Sequence, residues 1–415
     1  MANKQNSYPV VCVHGFAGFG EDELISKMFP YFGLWNGDVR KVSRNLNLDC
    51  CIPSLGPFSS AWDRACELYT HIVGGTVDYG KVHSEKNGHK RFGRTYDALI
   101  PDWGQLDSSG KIKKINLIAH SFGGPTARLF IQLMNDGSVE EIEGTPEGEL
   151  SELFKGGHTN WIHSLTNLAS TNEGIPGIQA LGNMATRIWK LILLAAGTVG
   201  NSPMSKIYDF GLDQFGITNS NKNGLNFGVN MKAINKYIAN KTDNQLYEIS
   251  IEGAQKLTKD MHTYDSIYYF SYAGCRTKNV AHTNIKRPTL KMWPLVWPAG
   301  IISSIYTNHT DVSKPIVTDE WLPNDCCVPV ISALAPFNES QADFECTEKC
   351  VPGVWYKMPI EDKDHMSYMG IGENGYKYNN FMYDILTRVC NLESAESANL
   401  NFDFDDLEDD LEKAV

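Results

Sequence analysis

Ile115-Asn-Leu-Ile-Ala-His-Ser121-Phe-Gly-Gly124-Pro125 is the stretch on which the reading turns. Ile115 to Ala119 is an apolar run suited to a central parallel strand. Gly123 to Met134 has helical spacing and closes at Asn135-Asp136-Gly137. Between them stands A-x-S-x-G. A serine on a tight strand-to-helix turn is a nucleophile elbow, and it needs small residues two before and two after. Ala119 and Gly123 meet that need, with alanine standing where glycine is usual. Such a turn thrusts the Ser121 Oγ out of the sheet. It also aims the next backbone N–H, that of Phe122, at a developing oxyanion.

Outward from this motif, strand and helix patterns alternate, which implies an α/β fold with a mainly parallel sheet. Strands are expected at Tyr8 to Val13, Trp161 to Ala169, Asp265 to Tyr272 and Val354 to Met358. Helices are expected at Ser59 to Ile72, capped by Ser59 or Ser60, and at Ile178 to Ala196 and Tyr378 to Asn391. Residues about 55–112 and 197–262 fit the alternation poorly. They read as insertions on the carboxyl edge of the sheet, where open α/β folds carry their sites.

A nucleophilic serine requires a base and an acid, in the chain order Ser, Asp/Glu, His. His365, in Lys363-Asp-His-Met366, is the only histidine after His309. Asp325 lies on a turn-like stretch 40 residues earlier and leads as the acid, with Asp319, Asp343, Glu345 and Asp364 competing. The acid fixes the imidazole tautomer and stabilises the imidazolium. A second oxyanion donor is sought after an early strand. Val10-Val-Cys-Val-His14-Gly15-Phe16-Ala17-Gly18 supplies one in the Phe16 N–H.

Composition narrows the classes. The 415 residues carry a formal net charge of −12, which argues against nucleic acid as partner. No run of 18 apolar residues exists. The longest oily stretch, Met292 to Ile305, is broken by Pro294 and Pro298. Residues 395–415 hold eight acids against one base and read as a solvated tail from about 391 onward. Length and pattern suit one elaborated domain over residues 1–390. Ten cysteines are too few for a disulfide scaffold. Cys346-x3-Cys350 is the best local disulfide pair, with Cys326 and Cys327 as further partners, while Cys12 and Cys66 read as core residues. The N-terminus shows no apolar signal segment.

With these residues in place the chain resembles a known family, the thermoalkalophilic true lipases of bacilli, which also include the staphylococcal lipases. The resemblance runs from about residue 8 to 390. It rests on His14-Gly-Phe-Ala-Gly18, Gly56-Pro-Phe-Ser-Ser-Ala-Trp62-Asp63-Arg-Ala-Cys-Glu-Leu-Tyr69 and Val73-Gly-Gly-Thr-Val-Asp-Tyr-Gly80. Gly88-His89-Lys-Arg-Phe-Gly-Arg-Thr-Tyr96, Ala119-His-Ser121, Tyr208-Asp-Phe-Gly-Leu-Asp213-Gln, Asn324-Asp325 and Asp364-His365 complete it. It implies an α/β-hydrolase fold with the triad Ser121, Asp325 and His365, and with Phe16 and Phe122 as oxyanion donors. The family often has Gln where Phe122 stands, but only the backbone N–H is needed.

The resemblance also implies a structural zinc in an extra domain, held by Asp63, His83, His89 and Asp213. Two carboxylates and two imidazoles make a closed set that suits zinc and leaves no open position for catalysis. A helical lid over about 175–200 is implied as well. The family's structural calcium site departs here. Ser367 stands where an acidic ligand is expected two residues after the histidine, and Gly372-Glu373 where an Asp-Pro pair is expected. Calcium prefers several hard oxygens, so this site is expected to be lost or weakened.

The activity implied is a serine carboxylic-ester hydrolase, a triacylglycerol lipase on medium- to long-chain acylglycerols acting at a lipid–water interface. A phospholipase or short-chain carboxylesterase on the same triad is the alternative. An inactive hydrolase fold used for binding is the alternative of another class. Family resemblance implies secretion, and the missing signal segment leaves an intracellular location as the other reading.

Overall fold

The computed structural model describes residues 5–199, 207–212, 214–217 and 231–393. Asp213 and most of the acidic tail, 394–415, lie outside the described residues. The strands in chain order are β1 (Val10–Val13), β2 (Cys50–Cys51), β3 (Gly75–Asp78), β4 (Phe92–Tyr96), β5 (Ile115–His120) and β6 (Ile162–Leu168). They continue with β7 (Tyr268–Tyr272), β8 (Thr277–Asn279), β9 (Lys286–Pro288), β10 (Gln341–Asp343) and β11 (Trp355–Lys357). Seven of them form one sheet in the order β10-β11-β7-β6-β5-β1-β2, and every pairing in it is parallel.

Parallel strands need crossovers, and the crossovers cover both faces. Side chains alternate across the sheet, so β1 sends Val11 and Val13 one way and Val10 and Cys12 the other. The first face packs with Leu117 and Ala119 against helices Ala61–Val73 and Gly123–Asp136. The second packs with Ile118 against helices Val39–Asn45 and Gly375–Asn391. Asn116, polar on a buried strand, is satisfied by Ser164 Oγ donating to its Oδ1 at 2.6 Å.

The central strand and its helix fall where the apolar patterns place them, and Gly137 ends that helix. Ser60 caps helix Ala61–Val73, its side chain accepting from the Asp63 N–H. The oily segment differs from the expected single helix. It forms Gly177–Leu181 and Asn183–Val199, separated by Gly182 at φ +49°. A residue in the left-handed region ends a helix, and glycine adopts it without strain. The insertion after residue 55 holds the antiparallel hairpin β3–β4. Cys346 and Cys350, the expected local disulfide pair, are both free thiols, and the Cys350 thiol donates to the Cys346 carbonyl oxygen at 3.4 Å. Among the described residues no helix is long and apolar enough to cross a membrane.

Candidate active site

Four loops leave the carboxyl ends of parallel strands and meet. They follow β1, β5, β7 and β11, as the placement rule for open sheets requires. Ser121 follows β5 directly, at φ +58°. That conformation is uncommon for a non-glycine residue and stores local strain. It is held by the Ser121 N–H donating to Leu168 O at 3.0 Å and the Gly124 N–H donating back to Ser121 O at 3.0 Å. Crowding explains the small neighbours. A Cβ on Gly123 would sit 2.3 Å from Val13 O, and one on Gly15 would sit 2.6 Å from the Ser121 Cβ.

His365 Nε2 lies 2.9 Å from Ser121 Oγ, and its Nδ1 lies 2.8 Å from Asp325 Oδ2. The His365 N–H also donates to the Asp325 carbonyl at 2.8 Å. The other carboxylate oxygen, Oδ1, accepts from the Cys327 and Val328 N–H groups at 2.9 and 2.7 Å. Of the competing acids, Asp364 is engaged elsewhere, with Arg276 and Ser367. Burial lowers the proton affinity of His365, but the Asp325 carboxylate outweighs it and raises the imidazole to about 9.

Phe16 and Phe122 flank the serine. Among the described residues neither backbone N–H has an acceptor. Two residues that the sequence reading passed over hold this corner together. The Gly15 N–H donates to Tyr31 Oη at 3.1 Å, and Tyr31 Oη lies 2.8 Å from His120 Nδ1. His120 Nε2 lies 3.2 Å from the His365 carbonyl oxygen. Burial holds His120 well below its usual proton affinity, so it is neutral. One tautomer then serves the whole chain: Tyr31 O–H donates to Nδ1, and Nε2–H donates to His365 O. The position of His120 beside the nucleophile was the available clue. Buried Arg64, on helix Ala61–Val73, donates to His14 O, Gly56 O and Thr126 Oγ1 and so braces the first loop against the elbow helix.

Helix Asn183–Val199 lies over the loop after β1. The Trp189 and Phe16 rings are 5.0 Å apart, and Phe58 packs edge-on to both. An apolar cavity of about 210 Å³ opens between Phe16, Ile175, Ile178, Trp189, Ile192 and Ile249. The same helix leaves Met184 and Leu191 exposed.

A second cluster sits under the insertions. Asp63, His83, His89 and Asp243 each offer a ligand atom within 4.8 Å of the others. Among the described residues Asp243 completes the group of four; Asp213, the fourth ligand that the resemblance implies, lies outside the described residues. The nitrogen–oxygen separations are 3.5 and 3.5 Å from His83, and 3.8 and 3.3 Å from His89. A tetrahedral ion with bonds of about 2.0–2.1 Å holds its ligands about 3.3–3.4 Å apart. Asp63 Oδ1, His89 Nε2 and both Asp243 oxygens are buried without a hydrogen-bond partner. Buried orphans of this kind are rare unless something fills the site, and this donor set suits zinc.

The region after His365 is the opposite case. Buried Arg276 donates to Asp364 Oδ2 and Ser367 Oγ at 3.0 Å each, to Glu373 Oε1 at 2.8 Å, and to the carbonyls of Asp362 and Lys291. A guanidinium already stands among the oxygens near Ser367 and Glu373, where the resemblance places calcium. These residues do not fit that ion.

A serine, histidine and aspartate in hydrogen-bonded sequence at the carboxyl edge of a seven-stranded parallel sheet define the α/β-hydrolase class. The family described as "Lipase-like, C-terminal domain" matches residues 6–392, and the chain belongs to that family. Lipase 1 of Staphylococcus aureus is 33% identical over 370 residues, covering 88% of this chain and 51% of that protein. The chain therefore spans about half the length of the curated relatives it matches. The structure of Staphylococcus hyicus lipase has a TM-score of 0.79 at 29% identity, covering 94% of this chain and 97% of that one. EstA from Clostridium botulinum has a TM-score of 0.78 at 33% identity, covering 95% and 90%.

Proposed function

We propose that this chain is a serine ester hydrolase, and that its substrates are triacylglycerols with medium to long acyl chains. The observation that carries the proposal is the Asp325–His365–Ser121 row, at 2.8 and 2.9 Å, together with an apolar cavity that Phe16 lines. Ser121 Oγ attacks the ester carbonyl carbon as His365 Nε2 takes its proton. The Phe16 and Phe122 N–H groups receive the oxyanion. The tetrahedral adduct collapses, His365 returns the proton to the leaving alcohol, and an acyl-enzyme remains. Water, deprotonated by His365, then releases the fatty acid. Asp325 orients the ring and stabilises its charged form.

Helices Gly177–Leu181 and Asn183–Val199 serve as a lid hinged at Gly182. Exposed Met184 and Leu191 meet a lipid surface as Trp189 leaves Phe16. Asp63, His83, His89 and Asp243 would hold zinc as a structural tie, supplying charge to a closed site with no part in the ester chemistry. Arg276 provides the positive charge behind His365 in place of an ion.

The test pairs a soluble short-chain ester with an emulsified long-chain triacylglycerol. Ser121→Ala should reduce turnover of both by at least about 10³-fold with the fold intact. Retained turnover sinks the mechanism. Normal hydrolysis of the soluble ester with none on the emulsion leaves a carboxylesterase, and hydrolysis of phospholipid vesicles in preference to the emulsion leaves a phospholipase.

A further inference from the structure

Cys326 and Cys327 directly follow the acid of the triad, and the catalytic reading gives neither thiol a role. Their Sγ atoms lie 3.6 Å apart, with the Cys326 thiol donating to Cys327. Cys326 is fully buried, while Cys327 is partly exposed. Cys326 has φ +94°, a left-handed value rare for a residue with a side chain. It is pinned there by its N–H donating to Asn324 Oδ1 at 2.9 Å. The next N–H, that of Cys327, belongs to the peptide joining the two cysteines, and it donates to Asp325 Oδ1 at 2.9 Å. The thiol pair and the seat of the acid therefore share one peptide group.

We propose that Cys326 and Cys327 form an oxidative-modification site for peroxides, and that closing them into a vicinal disulfide unseats Asp325. The geometry supplies the coupling. A disulfide needs its sulfurs about 2.05 Å apart and its Cα atoms usually 4.4–6.8 Å apart. Adjacent Cα atoms across a trans peptide stand only about 3.8 Å apart. Bridging neighbours closes an eight-membered ring that contains the intervening peptide, so that peptide must rotate or distort. Its N–H then leaves Asp325 Oδ1. The carboxylate that holds His365 loses one of its two backbone donors on that oxygen.

The chemistry has an attacking and a resolving thiol. The hydrogen bond from Cys326 lowers the proton affinity of Cys327 against the partial burial that would raise it, and His365 adds to the effect. The bond to Cys327, with burial, holds Cys326 in its protonated form. The Cys327 thiolate attacks one peroxide oxygen, breaking the O–O bond, to give the sulfenic acid and hydroxide. Cys326 sulfur then attacks the sulfenic sulfur, forming the S–S bond and expelling the oxygen as water. The two thiols lose two electrons and two protons, and hydrogen peroxide becomes two waters.

This inference rests on the proposed triad, so its test reads the modification apart from the activity. The whole chain is treated with hydrogen peroxide, and the peptide spanning Cys326 and Cys327 is weighed while hydrolysis of a soluble ester is followed. The expected result is a loss of two hydrogens from that peptide in step with an activity loss of about tenfold or more, both reversed by dithiothreitol. Cys326→Ser cannot close the bridge and should keep its own starting rate under peroxide. Cys50→Ser, which breaks the other close pair (Cys12 and Cys50, 3.8 Å), should stay as sensitive as the parent. An unmodified peptide in a chain that peroxide inactivates overturns the proposal. So does a bridged peptide with undiminished turnover. Should the untreated chain hydrolyse no ester, the catalytic reading fails, and the peptide mass alone still decides whether the thiols close.

Discussion

The corner around His365 and the corner around Asp63 both bury carboxylates, and they neutralise them differently. In the first, the chain brings its own positive groups. Asp325 faces His365, and Asp364 and Glu373 face Arg276. In the second, two carboxylates face two imidazoles at ion-pair distance and still leave oxygens without a hydrogen bond. A buried charge needs a counter-charge and saturated hydrogen bonding. One corner meets that need within the sequence. The other is shaped for a counter-charge from outside. Where an arginine fits, an ion has no place, and where oxygens are orphaned, an ion could take one.

Arg276→Met is the harshest way to break this contrast. It strands Asp364 and Glu373 and should lower stability by about 3–5 kcal/mol, measured by urea denaturation. With Arg276 present, added calcium or a calcium-selective chelator should change kcat/KM by less than about twofold. A strict calcium requirement breaks the assignment. Asp243→Ala should abolish bound zinc in elemental analysis and lower stability by about 3 kcal/mol at saturating metal, whereas Asp213→Ala should retain the metal. The reverse pattern would return the fourth position to Asp213.

The pairing in the His365 corner also sets a pH profile. In the proposed mechanism the neutral imidazole is the base, and Asp325 raises its proton affinity to about 9. Raising the pH removes that proton, so kcat/KM on a soluble ester should climb through neutrality toward about 9. Asp325→Asn should move this limb to lower pH while lowering the plateau. A profile flat above neutrality contradicts the pairing. The smallest effect sharpens the other corner. Ser60→Ala removes the cap from the helix that carries Asp63 and should cost about 1 kcal/mol in urea denaturation.

The sequence revealed the parts of the molecule that depend on local pattern. Ile115–His120 and the elbow were legible because a buried parallel strand is mostly apolar, Asn116 apart, and the turn after it admits only small residues. His365 was legible from chain order. Asp325 had to be chosen among five acids, because its place opposite Nδ1 is a tertiary fact. Asp243 was not legible. It precedes Asn244, which caps helix Gln245–Glu248, and a lone aspartate before a cap reads as a turn. Arg276 was missed for a related reason, since it finds Asp364 only across 88 residues of chain. The two-residue strand β2 and the hairpin β8–β9 are too short to show a period.

The close approaches around Ser121 bear on inheritance. Gly15 and Gly123 sit where a single added carbon would meet the nucleophile or the β1 backbone, whereas a Cβ on Gly148 would meet nothing within 4 Å. A library of random variants should therefore record a lethal gap at the first two codons and silence at the third. What the fold asks of these two positions is an absence, and the room for change lies in the outer loops.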